Sequence, residues 1–347
     1  MNKLLKSKGK PDIVAVAKAA GVSISTVSRS FNHPELLKPA TRKKIDRAVQ
    51  RVGYIRNRAA QVMHGRRTAT IGLVVPTIDN AIFAELIQSF SGELDANGFT
   101  MLIASHGFDL DREYQMLRKL MEHRVDGIAV IGLEHSEASY KLIEQQELPA
   151  VAIWNYAQSA RLPCVGVQNL KAGDMAAQHL LDLGHRKIGL IFPETKGNDR
   201  AKDRLLGATE ALEKAGVKVP SDWRLEAPYN IAEAKRASAT MLQHANRPSA
   251  ILCGNDIIAQ GVLFAAHNIG LKVPHDLSVM GIGDFKGSAE FEPSISTIRI
   301  PAKQIGIVAA KLILDTVANL PDNPNAIECD LFVAARDSTS RIEHGPD

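Results

Sequence analysis

The chain has 347 residues, enough for two or three domains with sizeable cores, and its 45% hydrophobic and 23% charged residues suit a soluble globular protein. Residues 1–67 hold 16 Lys and Arg against 3 Asp and Glu, a balance of +13, while the remaining 280 hold 26 against 35, a balance of −9. That split excludes an evenly charged molecule and points to a nucleic-acid or membrane module joined to an acidic body.

The basic opening MNKLLKSKGK runs into Pro11 and Asp12 instead of an apolar stretch, so it does not read as a signal peptide. No window approaches the 18 apolar residues of a membrane span. Cys164, Cys253 and Cys329 are far apart, odd in number and without a CxxC, which argues against disulfides and zinc. Each lies in an apolar stretch and reads as a buried thiol. The expectation is a cytoplasmic protein without membrane partner, metal or cofactor.

The first 67 residues carry no strand signal and read as helices at about 13–20, 24–32 and 39–52. Asp12 can cap the first. The stretch GVSISTVSR, Gly21 to Arg29, is an odd helix, because Ser, Thr, Val and Ile are indifferent helix formers. Ala17, Gly21, Val22 and Val27 have helix-turn-helix spacing: a small residue for close approach, a glycine for the turn and two valines for the corner. Short side chains let the second helix sink into a major groove, hydroxyls can donate to phosphates or base edges, and Arg29 can reach guanine. Lys38, Arg42, Lys43, Arg47 and Arg51 add positive charge on and before the third helix. The blander alternative is a basic three-helix module for protein or lipid.

From residue 69 apolar runs alternate with helical patterns. Strands are expected at 69–76, 99–105, 126–133, 149–154, 165–168, 187–192, 249–254, 277–282 and 295–300. Helices are expected near 82–97, 110–123, 136–146, 171–183, 201–215, 231–245, 256–269 and 302–319. This alternation means parallel sheets covered on both faces, and nine strands split better into two subdomains with a ligand cleft between them. A dehydrogenase would need GxGxxG after the first strand, where this chain has PTIDNA; Gly281-Ile-Gly283 comes late, with Lys286 at the third glycine. There is no P-loop, no HExxH and no convincing Ser/His/Asp set, so the chain does not read as an enzyme.

The runs VAKAAGVSISTVSRSFN, TRKKIDRAVQRVGYIRNRAAQVMHGRRTATIGLVVP, LGHRKIGLI, RLLGATEAL, RPSAILCGNDIIAQG, LSVMGIGD and PSISTIRIPAKQIG resemble, in order and spacing, the LacI/GalR family of bacterial transcription regulators. The resemblance implies an N-terminal all-α helix-turn-helix domain and an α/β body of two parallel-sheet subdomains, like periplasmic binding proteins. The implied boundaries are 1–57 for the DNA-binding domain and 58–67 for a hinge helix and linker. The first effector subdomain takes 68–167 plus 295–326, the second 168–294 plus 327–341.

The resemblance further implies a homodimer on double-stranded operator DNA. Ile24, Ser25 and Arg29 stand at its base-reading positions, with Thr26, Ser28 and Asn32 as backbone or supporting contacts. The hinge corresponds to Asn57–Gly65, with Asn57 and Arg58 facing DNA and Met63 as the apolar minor-groove wedge, where the family usually has Leu. Arg56 replaces a frequent Pro. The effector-contacting positions are Ile82, Phe83, Trp154, Asn155, Gln168, Arg200, Arg204, Tyr229, Asn255, Gly283 and Asp284. Sugar- and purine-binding relatives often carry Asp where this chain has Trp154 and Gly283. Losing two acids while keeping two arginines favours an anionic effector, and RAKDR, GIGDF and DLFVAARDST resemble the gluconate-responsive branch. A neutral sugar or a purine is the alternative within this class, and a cytoplasmic sugar-binding protein without DNA function the alternative outside it.

Overall fold

The computed structural model describes residues 11–55, 67–79, 81–321 and 324–342. They form two compact units, one ending at Thr68 and one starting at Ala69. Asn57, Arg58 and Met63 lie outside the described residues, and so does the rest of the expected hinge helix.

In the first unit the Asp12 carboxylate accepts from the Ala15 N–H at 2.8 Å and caps α1 (Ile13–Ala20). Gly21 then turns the chain at φ 59°, a left-handed conformation that suits a residue without Cβ. Ser23 caps α2 (Ile24–Asn32), and Pro39 opens α3 (Pro39–Val52), where a missing N–H costs nothing. Val16, Ala17, Ala20, Val27, Ile45 and Ala48 bury themselves between the three helices. The corner valine and the small residue on α1 are therefore packed as the spacing anticipates.

The second unit contains two six-stranded sheets. The first holds β1 (Thr70–Val75), β2 (Thr100–Ser105), β3 (Gly127–Ile131), β4 (Ala150–Asn155), β5 (Cys164–Val167) and β11 (Ala326–Glu328) in the order 11-5-4-3-1-2, all parallel. The second holds β6 (Ile188–Phe192), β7 (Arg224–Glu226), β8 (Ala250–Cys253), β9 (Ser278–Gly283), β10 (Ser296–Arg299) and β12 (Phe332–Ala334) in the order 12-10-9-8-6-7. Only β12 runs antiparallel, at the edge. Helices α4 (Ala81–Ala96), α5 (Leu110–Glu122), α6 (Glu137–Gln145) and α11 (Ala302–Ala318) accompany the first sheet. Helices α7 (Asn169–Asp182), α8 (Asp199–Lys214), α9 (Ile231–Gln243) and α10 (Asp256–Asn268) accompany the second. Strands β3, β4, β8 and β9 are buried at every position, as expected where helices cover both faces of a parallel sheet.

All nine expected strands form. Three further strands, β7, β11 and β12, are three residues long and sit at or near sheet edges, too short to leave a periodic signature. Strand pairing also corrects the subdomain boundaries. Ser296–Arg299, expected in the first subdomain, pairs with Met280–Gly283 of β9 in the second sheet. Ile327 and Glu328, expected in the second, pair with Val165 and Gly166 of β5 in the first. The chain therefore crosses between lobes beyond Val167, after Arg299 and after Glu328. A strand such as ISTIRI, half apolar and half polar, suits either sheet, and only its neighbour β9 decides.

Candidate functional site

Two regions collect the candidate residues, one in each unit. On α2 the Ser23 hydroxyl accepts from the Thr26 N–H at 3.2 Å and lies 2.7 Å from the Thr26 hydroxyl, so the helix start is stapled by its own short side chains. Val27 points inward and is fully buried. Ile24, Ser25 and Arg29 point outward, with Ile24 47% exposed. Thr26, Ser28 and Asn32 are half-buried, and the Asn32 amide donates to Ser28 Oγ at 3.2 Å. Arg29 has no hydrogen-bond partner among the described residues, so its five N–H donors remain available. Lys38, Arg42, Lys43, Arg47 and Arg51 are all exposed.

In the second unit, a small, nearly closed cavity of about 20 Å³ lies between the lobes. Its walls include six of the expected effector positions: Phe83, Trp154, Arg200, Arg204, Tyr229 and Asn255. Phe108, Asn198 and Phe285 complete them. Phe83 packs edge-on against Trp154, with ring centroids 5.4 Å apart. Phe108 and Tyr229 form a second aromatic wall, 6.1 Å between centroids, and also line an outer cleft of about 380 Å³. Asn198 caps α8 and donates to the Tyr229 hydroxyl at 3.1 Å.

The polar groups around this cavity are not equivalent. Arg200 is paired: its Nη1 lies 2.7 Å from Asp199 Oδ1. Arg204 is not paired with any carboxylate among the described residues. Its Nε donates to Asn169 Oδ1 at 2.8 Å and its Nη1 to the Gly254 carbonyl at 3.3 Å. Burial pushes its pKa down to about 10, which still leaves a cation at neutral pH. Asn255 caps α10 through its oxygen, which accepts from the Ile258 N–H at 2.9 Å, while its Nδ2 is buried with no partner. Two glycines put Arg204 there. A Cβ on Gly173 of α7 would collide with the Arg204 carbonyl, and one on Gly207 of α8 with the Leu170 carbonyl. The two helix backbones touch, and the Arg204 side chain is carried into the interior.

The remaining expected positions are placed elsewhere. Asn155 lies behind the wall, its Nδ2 on Asp199 and its oxygen accepting from Asn169. Gln168 is exposed and donates to Glu328 at 2.8 Å, bracing two of the crossing segments. Gly283 carries the Phe285 ring over its backbone, leaving no room for a Cβ. Asp284 turns away to Arg299 and Arg336 and lines a separate groove beside α4 and α11. Neither residue lines the cavity: the Phe285 ring covers Gly283, and Asp284 is held by Arg299 and Arg336. The Ile82 side chain lies outside the described residues. Of the wall residues not anticipated, Asn198 had a signal, an Asn-Asp pair ahead of a helix; Phe108 and Phe285 had none.

Residues 12–57 match the bacterial regulatory proteins of the lacI family, and residues 177–339 match a periplasmic binding protein-like domain. The HTH-type transcriptional repressor PurR of Escherichia coli is 31% identical over 315 residues, 90% of this chain and 92% of that one. The transcription regulator GntR from Chromobacterium violaceum superposes with a TM-score of 0.74 at 29% identity, over 78% of this chain and 99% of its own. The lac repressor dimer bound to operator and the anti-inducer ONPF gives 0.83 over 95% and 99%, and at 22% identity that likeness shows the fold alone.

Proposed function

The chain belongs to the LacI family of bacterial regulators, and from that premise we propose that its effector is a sugar acid of the gluconate type. The protein is a ligand-responsive, DNA-binding repressor and not an enzyme. Repressors of this family bind operator DNA and small-molecule effectors and act as dimers.

The observation that carries the effector class is the donor excess in the cavity. Arg204 is a buried cation without a carboxylate, and beside it the Asn255 Nδ2 has no acceptor. Buried donors without acceptors are costly, and a carboxylate with two oxygens answers both groups at once. The aromatic walls suit the C–H faces of a polyol chain. A second reading, a purine, is favoured by the five aromatic rings among the nine lining residues, which could hold a flat heterocycle between them. Calorimetric titration separates the two. Heat with gluconate and none with purines supports the sugar acid; heat with a purine or a neutral sugar and none with gluconate overturns it.

In the DNA-binding unit, Ile24, Ser25 and Arg29 are assigned to base edges and Thr26, Ser28 and Asn32 to support. Of the hinge residues, Met63 is assigned to the minor groove and Asn57 and Arg58 to DNA contact. Dimerisation is assigned to the outer face of α4, because its apolar face, Phe83, Leu86, Phe90 and Leu94, is already buried in the core. Effector binding shifts the lobes and thereby the geometry of the dimer, acting only through its differential affinity for two states.

A further inference from the structure

Asp199 is the first residue of α8, in the lobe that carries Arg204. Its carboxylate nevertheless spends most of its capacity on the other lobe. Oδ2 accepts from the Leu133 N–H at 2.7 Å, the Glu134 N–H at 3.2 Å and the Asn155 Nδ2 at 3.0 Å. Oδ1 accepts from the Arg200 N–H at 2.8 Å and from its Nη1 at 2.7 Å. Arg200 Nη1 also reaches the Ile131 carbonyl at 3.4 Å. One carboxylate thus takes five donors, three of them at the ends of β3 and β4.

The receiving side is built to match. Gly132 has φ 95°, and a Cβ there would strike Arg200 Nη1 and come within 2.9 Å of Asp199 Oδ1. Only glycine leaves room here for the Arg200 and Asp199 side chains. The segment beyond it is held from beneath. Tyr140 donates to the Leu133 carbonyl at 2.7 Å, and His135 sits between the Gly132 carbonyl at 3.1 Å and the buried Glu113 carboxylate at 2.9 Å. The N–H groups of Leu133 and Glu134 are therefore fixed in place for an anion, and Asp199 supplies it.

We infer that Asp199 is a positioning residue for the effector site: a latch whose carboxylate holds the Arg204 lobe against the Trp154 lobe. This rests on the reading of the cavity as the effector site. It also divides the labour of the two arginines. Arg200 is neutralised by the latch and orients it, so Arg204 alone is left to meet a ligand anion.

The test is amide hydrogen exchange on the full-length protein without effector, following the peptide that contains Leu133 and Glu134. Asp199→Asn keeps one carbonyl oxygen and should speed exchange there several-fold; Asp199→Ala should speed it by tenfold or more. The β1 strand, which pairs with β3 but makes no hydrogen bond to Asp199, should exchange as in the parent. In the same two variants gluconate should bind more weakly, in the order Asp, Asn, Ala, chiefly through faster dissociation, while operator binding without effector persists. Unchanged exchange at Leu133 and Glu134 would overturn the latch, as would acceleration that includes β1, since that would make Asp199 a general folding residue. The exchange measurement uses no ligand, so a failed gluconate titration of the parent would sink the effector class without touching this result.

Discussion

The N-terminal module holds its shape with six buried apolar side chains, and the groups it offers a partner, Ile24, Ser25 and Arg29, all face outward. The body does the reverse. Its offered groups, Arg204, Asn255 and Trp154, are nearly inaccessible and set in a continuous core, at the end of a hydrogen-bond relay through Asn169 to Asn155. A surface reader needs only a stable platform, because DNA supplies the low-dielectric environment when it docks. An interior reader must hold charge in a dry site beforehand, and it does so by tying polar groups to one another. Substitutions in the first region should therefore act on one function at a time, and those in the second on ligand binding and lobe geometry together.

The largest effect should come from Arg204→Ala. Removing this cation strands the Asn169 oxygen and the Gly254 carbonyl, and gluconate affinity should fall by about 2–5 kcal/mol, measured by calorimetry, with operator binding retained. Loss of operator binding as well would erase the contrast between interior and surface. Next comes Arg29→Ala, which should cost about 1–3 kcal/mol of specific operator binding and relax preference at one base pair per half-site. Equal losses on operator and random DNA would make Arg29 a phosphate contact. Gluconate affinity should not change.

Ser23→Ala removes the cap of α2 and should lower the stability of the N-terminal unit by about 1 kcal/mol, seen as a lower melting temperature of that unit alone. A matching shift in the body would contradict the independence of the two units.

The smallest and broadest effect is on pH. Burial pushes His106, His179 and His185 below the ordinary value of about 6.5, with the Glu113 charge partly opposing this for His106. The folded body keeps these rings neutral where the unfolded chain would take up a proton. Between 6.5 and the lowered folded values the unfolded state binds more protons, so stability falls as pH drops through that window and is unaffected above it. The melting temperature of the body should fall below about pH 6.5, and His185→Gln should reduce the slope. A melting temperature flat down to about pH 5 would mean these histidines are not held neutral by burial.

Much of this was legible in the residues. Helix boundaries in the first unit follow from Asp12, Gly21, Ser23 and Pro39, whose effects are local. The nine main strands follow from short, largely apolar runs. The three short strands were not legible, because three residues carry no period, and with β11 went the lobe boundary near 329; the one near 300 turned on the partner of β10. In the cavity, aromatic and arginine positions were recoverable one by one, whereas Gly283 and Asp284 were not: the Phe285 ring lies over one, and Arg299 and Arg336 hold the other.

The sequence by itself determined that a basic helix-turn-helix unit precedes a two-lobed α/β body, since propensity, capping and apolar periodicity are properties of neighbouring residues. Only the tertiary structure decided which arginine is free. Asp199 and Arg200 are adjacent in the chain, but what makes the pair a bridge is Gly132, Leu133, Glu134 and Asn155, more than forty residues earlier. Charge balance at a buried site depends on distances of a few ångströms between distant segments, and no local pattern encodes those distances.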